Sequence, residues 1–186
     1  SEIVKVKNEA INRLDIFRKI IEIPRSKIRE KKLIIGKGGE CHIQLAEYEG
    51  KEVAIKIIHI QTFQYLQRIK NMLYLLRIID QNEVKKYVVN EIGFTNFGVV
   101  MEYYHEGDFQ KYIDKDFGIN KKNTKKEEQE VKINEVERGL FYLCSLMQMI
   151  QEIKFLHSNN IVHYDIKFQN FLLTNDKIPL ISDMVN

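Results

Sequence analysis

Residues 161–173, IVHYDIKFQNFLL, set Asp165, Lys167 and Asn170 at close offsets between two short apolar runs. An acid, a base and an amide gathered in a turn between short strands are either ordinary polar loop residues or the parts of a phosphoryl-transfer site. That chemistry needs a carboxylate to orient the attacking hydroxyl and a lysine to neutralise the moving phosphoryl group. It also needs an amide and a second carboxylate to hold magnesium. The second carboxylate is present: Asp183 follows the strand pair predicted within NFLLTNDKIPLIS, residues 170–182. Any one of these residues reads most simply as a satisfied loop residue. Their order, together with what lies upstream, points to transfer.

Upstream, GKGGEC at 36–41 separates the predicted strands KLIIGK and CHIQLAEY, and EVAIKII forms a third. A glycine turn lets backbone N–H groups approach phosphate oxygens where a Cβ would hold them off. Glycine turns are common in hairpins, so this signal is weak alone. Here it precedes Val53-Ala54-Ile55-Lys56, in which alternation places Ala54 and Lys56 on one face. A lysine on an inner face needs an anionic partner, and phosphate would supply one.

The remaining chain sets limits. Its 186 residues allow one sizeable core, and 44% hydrophobic with 30% charged residues is a globular composition. A net charge of +3, from 29 basic and 26 acidic residues, gives no case for nucleic acid or an anionic membrane surface. No apolar run is long enough to span a bilayer. Cys41 and Cys144 are far apart, which argues against a disulfide framework or a zinc site and for a reducing, intracellular and cytoplasmic setting. Residues 2–22 read as an amphipathic helix ending near Pro24, packed on the following domain or offered to a partner. Residues 62–79 carry helical periodicity, YVVNEIGF and FGVVMEYY read as a strand pair, and 135–157 as a long helix apolar on several sides. The charge run 114–134 reads as a solvated insertion.

Taken in order, LIIGKGG, VAIKII, VVMEYYHEGDF, FLHSNNIVHYDIKFQNFLL and LISD resemble a eukaryotic protein kinase domain over residues 28–185, of the serine/threonine or tyrosine-kinase-like branch. The resemblance implies an α+β, bilobal fold. Residues 1–27 would be an N-terminal helix and linker, and 28–104 a complete N-lobe of five antiparallel strands plus helix C, with the hinge. Residues 105–186 would be only the first part of the helical C-lobe, carrying the insertion. It further implies ATP and magnesium as cofactors and a protein as substrate. By resemblance, Gly36 and Gly38 cover the phosphates, Lys56 contacts the α- and β-phosphates, and Ile43 and Ala54 enclose the adenine. Met101 would be the gatekeeper and Glu102 to Tyr104 the hinge. Asp165 would be the catalytic aspartate, Lys167 the phosphoryl-stabilising lysine, and Asn170 and Asp183 the magnesium ligands. Lys167-Phe168-Gln169-Asn170 is similar to the serine/threonine kinases.

Four departures stand against this pattern. Cys41 replaces the third loop glycine, and Tyr164 replaces the arginine that normally pairs with a phosphorylated activation loop. No acidic residue lies between Lys56 and Asp80, so helix C lacks the glutamate expected to hold Lys56. The Asp-Phe-Gly triplet reads Asp183-Met184-Val185, and no activation segment follows within the sequence. A long helix without its usual covering forfeits about 1.5–3 kcal/mol per exposed Leu or Phe, against a net domain stability of about 5–15 kcal/mol. The chain alone is therefore expected to be marginal or aggregation-prone. Transfer to a protein hydroxyl is the leading function; a pseudokinase serving as a nucleotide-binding or scaffolding module is the alternative. A small-molecule phosphotransferase on a related fold is the third reading.

Overall fold

The computed structural model describes residues 22–39, 41–59, 79, 81–95, 98–118 and 135–183. The helices read at 2–22 and 62–79, save their last residues Glu22 and Ile79, most of the charge run, and Met184 to Asn186 lie outside the described residues. The chain divides into two compact units. One holds residues up to Lys85 with Val89–Tyr103; the other holds Lys86–Val88 with Tyr104–Met184.

The first unit is built on a five-stranded antiparallel sheet. Its strands are β1 (Ile28–Lys37), β2 (Cys41–Tyr48), β3 (Lys51–Ile58), β4 (Glu91–Thr95) and β5 (Gly98–Glu102), in the order β1-β2-β3-β5-β4. Alternating β-branched residues make β3 a strand buried on both faces. Val53 and Ile55 face a cluster with Ile23, Ile28, Ala46 and Val100. Ala54 and Ile58 face the other, with Val99 and Met101. β2 turns into β3 through Glu49 and Gly50, both at positive φ, the geometry of a tight hairpin turn that glycine adopts without strain.

A short helix, α1 (Gln81–Tyr87), precedes β4. The predicted strand at 87–94 is thus half correct: its first residue ends a helix, and extended pairing starts only at Glu91. Val84, within the helix, and Val88, just past its end, are both buried; four residues apart, they would share a face in helix or strand alike, so their burial does not by itself tell the two apart.

The second unit holds α2 (Phe109–Asp116), α3 (Glu135–Ser158) and the hairpin of β6 (Phe171–Leu173) and β7 (Pro179–Ile181). Asp108 caps α2, its Oδ1 accepting from the Lys111 N–H at 2.9 Å. The predicted insertion at 114–134 therefore begins inside the last turn of a helix. Within α3, Ser145, Met149, Glu152 and Leu156 are buried, a repeat of three to four that marks its inner face. Leu140, Leu143, Met147 and Ile150 are exposed among the described residues. None of the described helices is long and apolar enough to cross a membrane.

Candidate active site

The loop after α3 is fixed from both ends. Ile161 is buried and its N–H donates to the Leu156 carbonyl, so the chain turns sharply off the helix. At the far end Phe168 packs edge-on against the fully buried Phe109, with ring centroids 5.5 Å apart. Around Phe109 gather Tyr112, Phe141 and Tyr142, an aromatic block that seats the loop on α2 and α3. Tyr142 donates to the Asp116 carboxylate at 2.6 Å; burial, then that bond, pushes its phenol well above the usual range.

Between these anchors the polar groups converge. Asn170 Nδ2 donates to the Asp165 carbonyl at 2.7 Å and to its Oδ2 at 3.1 Å. Lys167 Nζ reaches the same Oδ2 at 2.5 Å. Asp165, Lys167 and Asn170 thus form one hydrogen-bonded group. Asn170 is buried, whereas the Lys167 side chain is about half exposed, at 48%. With both Asn170 contacts made through Nδ2, its Oδ1 is the end left for a cation.

His163 and Ser182, which the sequence did not single out, hold the group in place. His163 Nδ1 accepts from the Asp165 N–H at 3.3 Å, which leaves the proton on Nε2 to be donated to the Ser182 carbonyl at 2.7 Å. Both residues are buried. Ser182 in turn donates its N–H and its hydroxyl to the Asn170 carbonyl, at 2.8 and 2.9 Å. The next residue, Asp183, stands at φ +60, and Tyr164 at φ +64, both in the left-handed region that non-glycine residues enter at a cost. Two such residues flanking one hydrogen-bonded cluster are what a functional loop shows when its surroundings over-determine it.

In the first unit, Ile43 lies opposite Lys56 and Ala54 opposite Met101 across the sheet, so all four share a face. Ile43 and Tyr103 pack against the Ala54, Val99 and Met101 cluster. The Glu102 N–H donates to the Asn90 carbonyl at 2.9 Å, which ties the end of β5 to the segment before β4. Tyr104 begins the second unit, its carbonyl accepting from the Gly107 N–H. At Gly36 an added Cβ would come no closer than 3.4 Å to Ile43, and at Gly38 3.4 Å to the Cys41 carbonyl. Packing within the hairpin therefore does not itself demand glycine at either position.

The sequence profile of the protein tyrosine and serine/threonine kinase family matches residues 30–185. A serine/threonine-protein kinase of Arabidopsis thaliana is 24% identical over 169 residues, 88% of this chain and 25% of the relative. A probable serine/threonine-protein kinase of Dictyostelium discoideum is 30% identical over 172 residues, 89% of this chain and 30% of the relative. Mitogen-activated protein kinase kinase kinase A of the same organism is 24% identical over 163 residues, 83% of this chain and 15% of its own length. The chain thus spans less than a third of each of these relatives.

Proposed function

The chain belongs to the protein tyrosine and serine/threonine kinase family, and from that membership we propose that it binds ATP with magnesium and transfers the γ-phosphoryl group to a serine or threonine hydroxyl of a protein. The observation that carries this reading is the single hydrogen-bonded group of Asp165, Lys167 and Asn170. In it, residues 28–104 serve the nucleotide and residues 105–186 serve transfer.

The residues present suit the cofactors. Ile43, Ala54 and Met101 form an apolar face fit for an adenine ring, and backbone groups between Glu102 and Tyr104 would read its edge. Lys56 on the same face would meet the α- and β-phosphates. The room that Gly36 and Gly38 keep would admit the phosphates to the backbone. Asn170 through Oδ1, with the Asp183 carboxylate, offers the hard oxygen donors that magnesium prefers. When bound, magnesium would offset charge on the phosphates and orient them.

The chain's own residues then do three things. Asp165 orients the incoming hydroxyl and accepts its proton as the new oxygen–phosphorus bond forms and the bond to ADP breaks. Lys167, already beside that carboxylate, follows the charge that develops on the phosphoryl group. His163 and Ser182 keep the loop in one geometry while this happens.

The test is phosphate transfer from ATP to a generic basic protein by the intact chain, with Asp165→Asn as control. Transfer to small amino alcohols in preference to protein would favour the small-molecule phosphotransferase. Nucleotide binding with no transfer to either would favour the binding module.

A further inference from the structure

Glu152 is 0% exposed on the inner face of α3, which packs on β7. A carboxyl group at such a position is costly unless every oxygen is satisfied. Its Oε1 accepts from Gln148 Nε2 at 3.1 Å, while its Oε2 has no partner among the described residues. The same Gln148 Nε2 donates to the Lys86 carbonyl at 3.2 Å, at the end of α1. The backbone amide of Ile181, in β7, lies against the carboxyl group. Ile181 is itself 0% exposed and bridges to Val88, two residues beyond Lys86. One glutamate therefore joins α3, the Lys86–Val88 segment and β7. The residues that follow in the chain are Ser182 and Asp183.

We propose that Glu152 is a positioning residue of the transfer site, bracing β7 through Ile181 so that Ser182 keeps Asn170 and Asp183 in register. The inference rests on the transfer reading above for its catalytic consequence, but the brace itself does not. Its path is short: Glu152 is buried where α3 packs on β7, Ile181 in β7 precedes Ser182, and Ser182 reaches the Asn170 carbonyl through two hydrogen bonds.

The brace works with the acid neutral. Burial pushes the Glu152 carboxyl up to about 9, while Gln148 and the Ile181 amide pull the other way without prevailing. Gln148 on its own helix and the Ile181 amide from β7 are the polar groups that act on it, with the Lys86 carbonyl from α1 reached through Gln148; no charged side chain among the described residues contributes to the shift. Ionising Glu152 would place an uncompensated charge beneath β7, so the brace should fail as the solution turns alkaline.

Glu152→Gln and Glu152→Ala test this in the full chain, by hydrogen exchange of residues 179–183 and by the magnesium dependence of ATP turnover. At neutral pH the Gln variant should exchange no faster than the wild type and need no more magnesium, since it keeps the shape and stays uncharged. The Ala variant should exchange roughly 10-fold faster there and need more magnesium at half-maximal rate, with a smaller change in the maximal rate. Above about pH 9 the wild type should drift toward Ala while Gln does not. Ala indistinguishable from wild type, or Gln behaving as Ala, would overturn the proposal. Exchange following this pattern in a chain that turns over no ATP would uphold the brace and sink its role in transfer.

Discussion

The Asn170 carbonyl accepts two hydrogen bonds from one residue, Ser182, through its N–H at 2.8 Å and its hydroxyl at 2.9 Å. That pairing ties the Asn170 carbonyl to the residue preceding Asp183, across an intervening hairpin. Two proposed magnesium ligands thirteen positions apart in sequence are thereby tied to one another through Ser182, once by backbone and once by its side chain.

Ser182→Ala removes the hydroxyl bond and leaves the N–H bond. A lost buried hydrogen bond of this kind costs about 1 kcal/mol, read as a lower denaturant midpoint at unchanged slope. Because the remaining bond still places Asn170, turnover should survive with a raised magnesium requirement. An Ala variant with wild-type stability and wild-type magnesium dependence would remove Ser182 from the account.

Asp165→Asn separates chemistry from folding. The variant keeps an oxygen for Lys167 and Asn170 but cannot take a proton at neutral pH, so transfer should fall about 10²- to 10⁴-fold. Stability should move by less than about 1 kcal/mol, since the Asp165–Lys167 pair is partly solvated, with side chains 32% and 48% exposed. Equal activity of variant and wild type would end the transfer reading.

Gly98→Ala strikes the sheet directly. A Cβ at Gly98 would stand 2.2 Å from the Lys56 carbonyl oxygen and 3.2 Å from the Ile57 Cα, all backbone that cannot turn aside. β3 and β5 would have to part beside Lys56, where Gly98 faces Ile57, at a cost of about 3 kcal/mol. Gly39→Ala is the matched control: nothing lies within 4 Å of its Cβ position, so its stability should stay within about 0.5 kcal/mol of wild type. Chemical denaturation of both variants decides, and a stable Gly98→Ala would show that the strands are not so close.

What was legible in the sequence follows the same physical lines. Strands β1, β2, β3 and β5 announced themselves through two-residue alternation and glycine turns, and α3 through its length. The Asp165, Lys167 and Asn170 cluster was legible because three unlike polar residues sat close together in chain. Helix α1 was missed because its seven residues, Gln81–Tyr87, are too few and too polar to show helical periodicity, and they run straight into the strand-like apolar stretch Tyr87-Val88-Val89. His163, Ser182 and Glu152 gave no signal. A histidine or serine acquires its role from a partner many positions away, and a glutamate between Gln151 and Ile153 reads as solvent-facing until a neighbouring strand is known to cover it.

Glu152 also sets a pH dependence whose sign is unusual for a carboxyl group. Its folded value is raised to about 9 from 4.5, so below 4.5 folded and unfolded chains both hold the proton and no penalty exists. As pH climbs past 4.5 the unfolded chain releases the proton and the folded chain keeps it, so stability falls until about pH 9. At about 1.4 kcal/mol for each pH unit, this costs on the order of 3 kcal/mol by pH 7. Glu152→Gln carries no such penalty. The difference in unfolding free energy between Gln variant and wild type should therefore grow with pH across this window, while titrations common to both chains cancel. A difference that stays flat, or shrinks as pH rises, would mean that Glu152 ionises as an ordinary carboxylate, with its Oε2 paired after all.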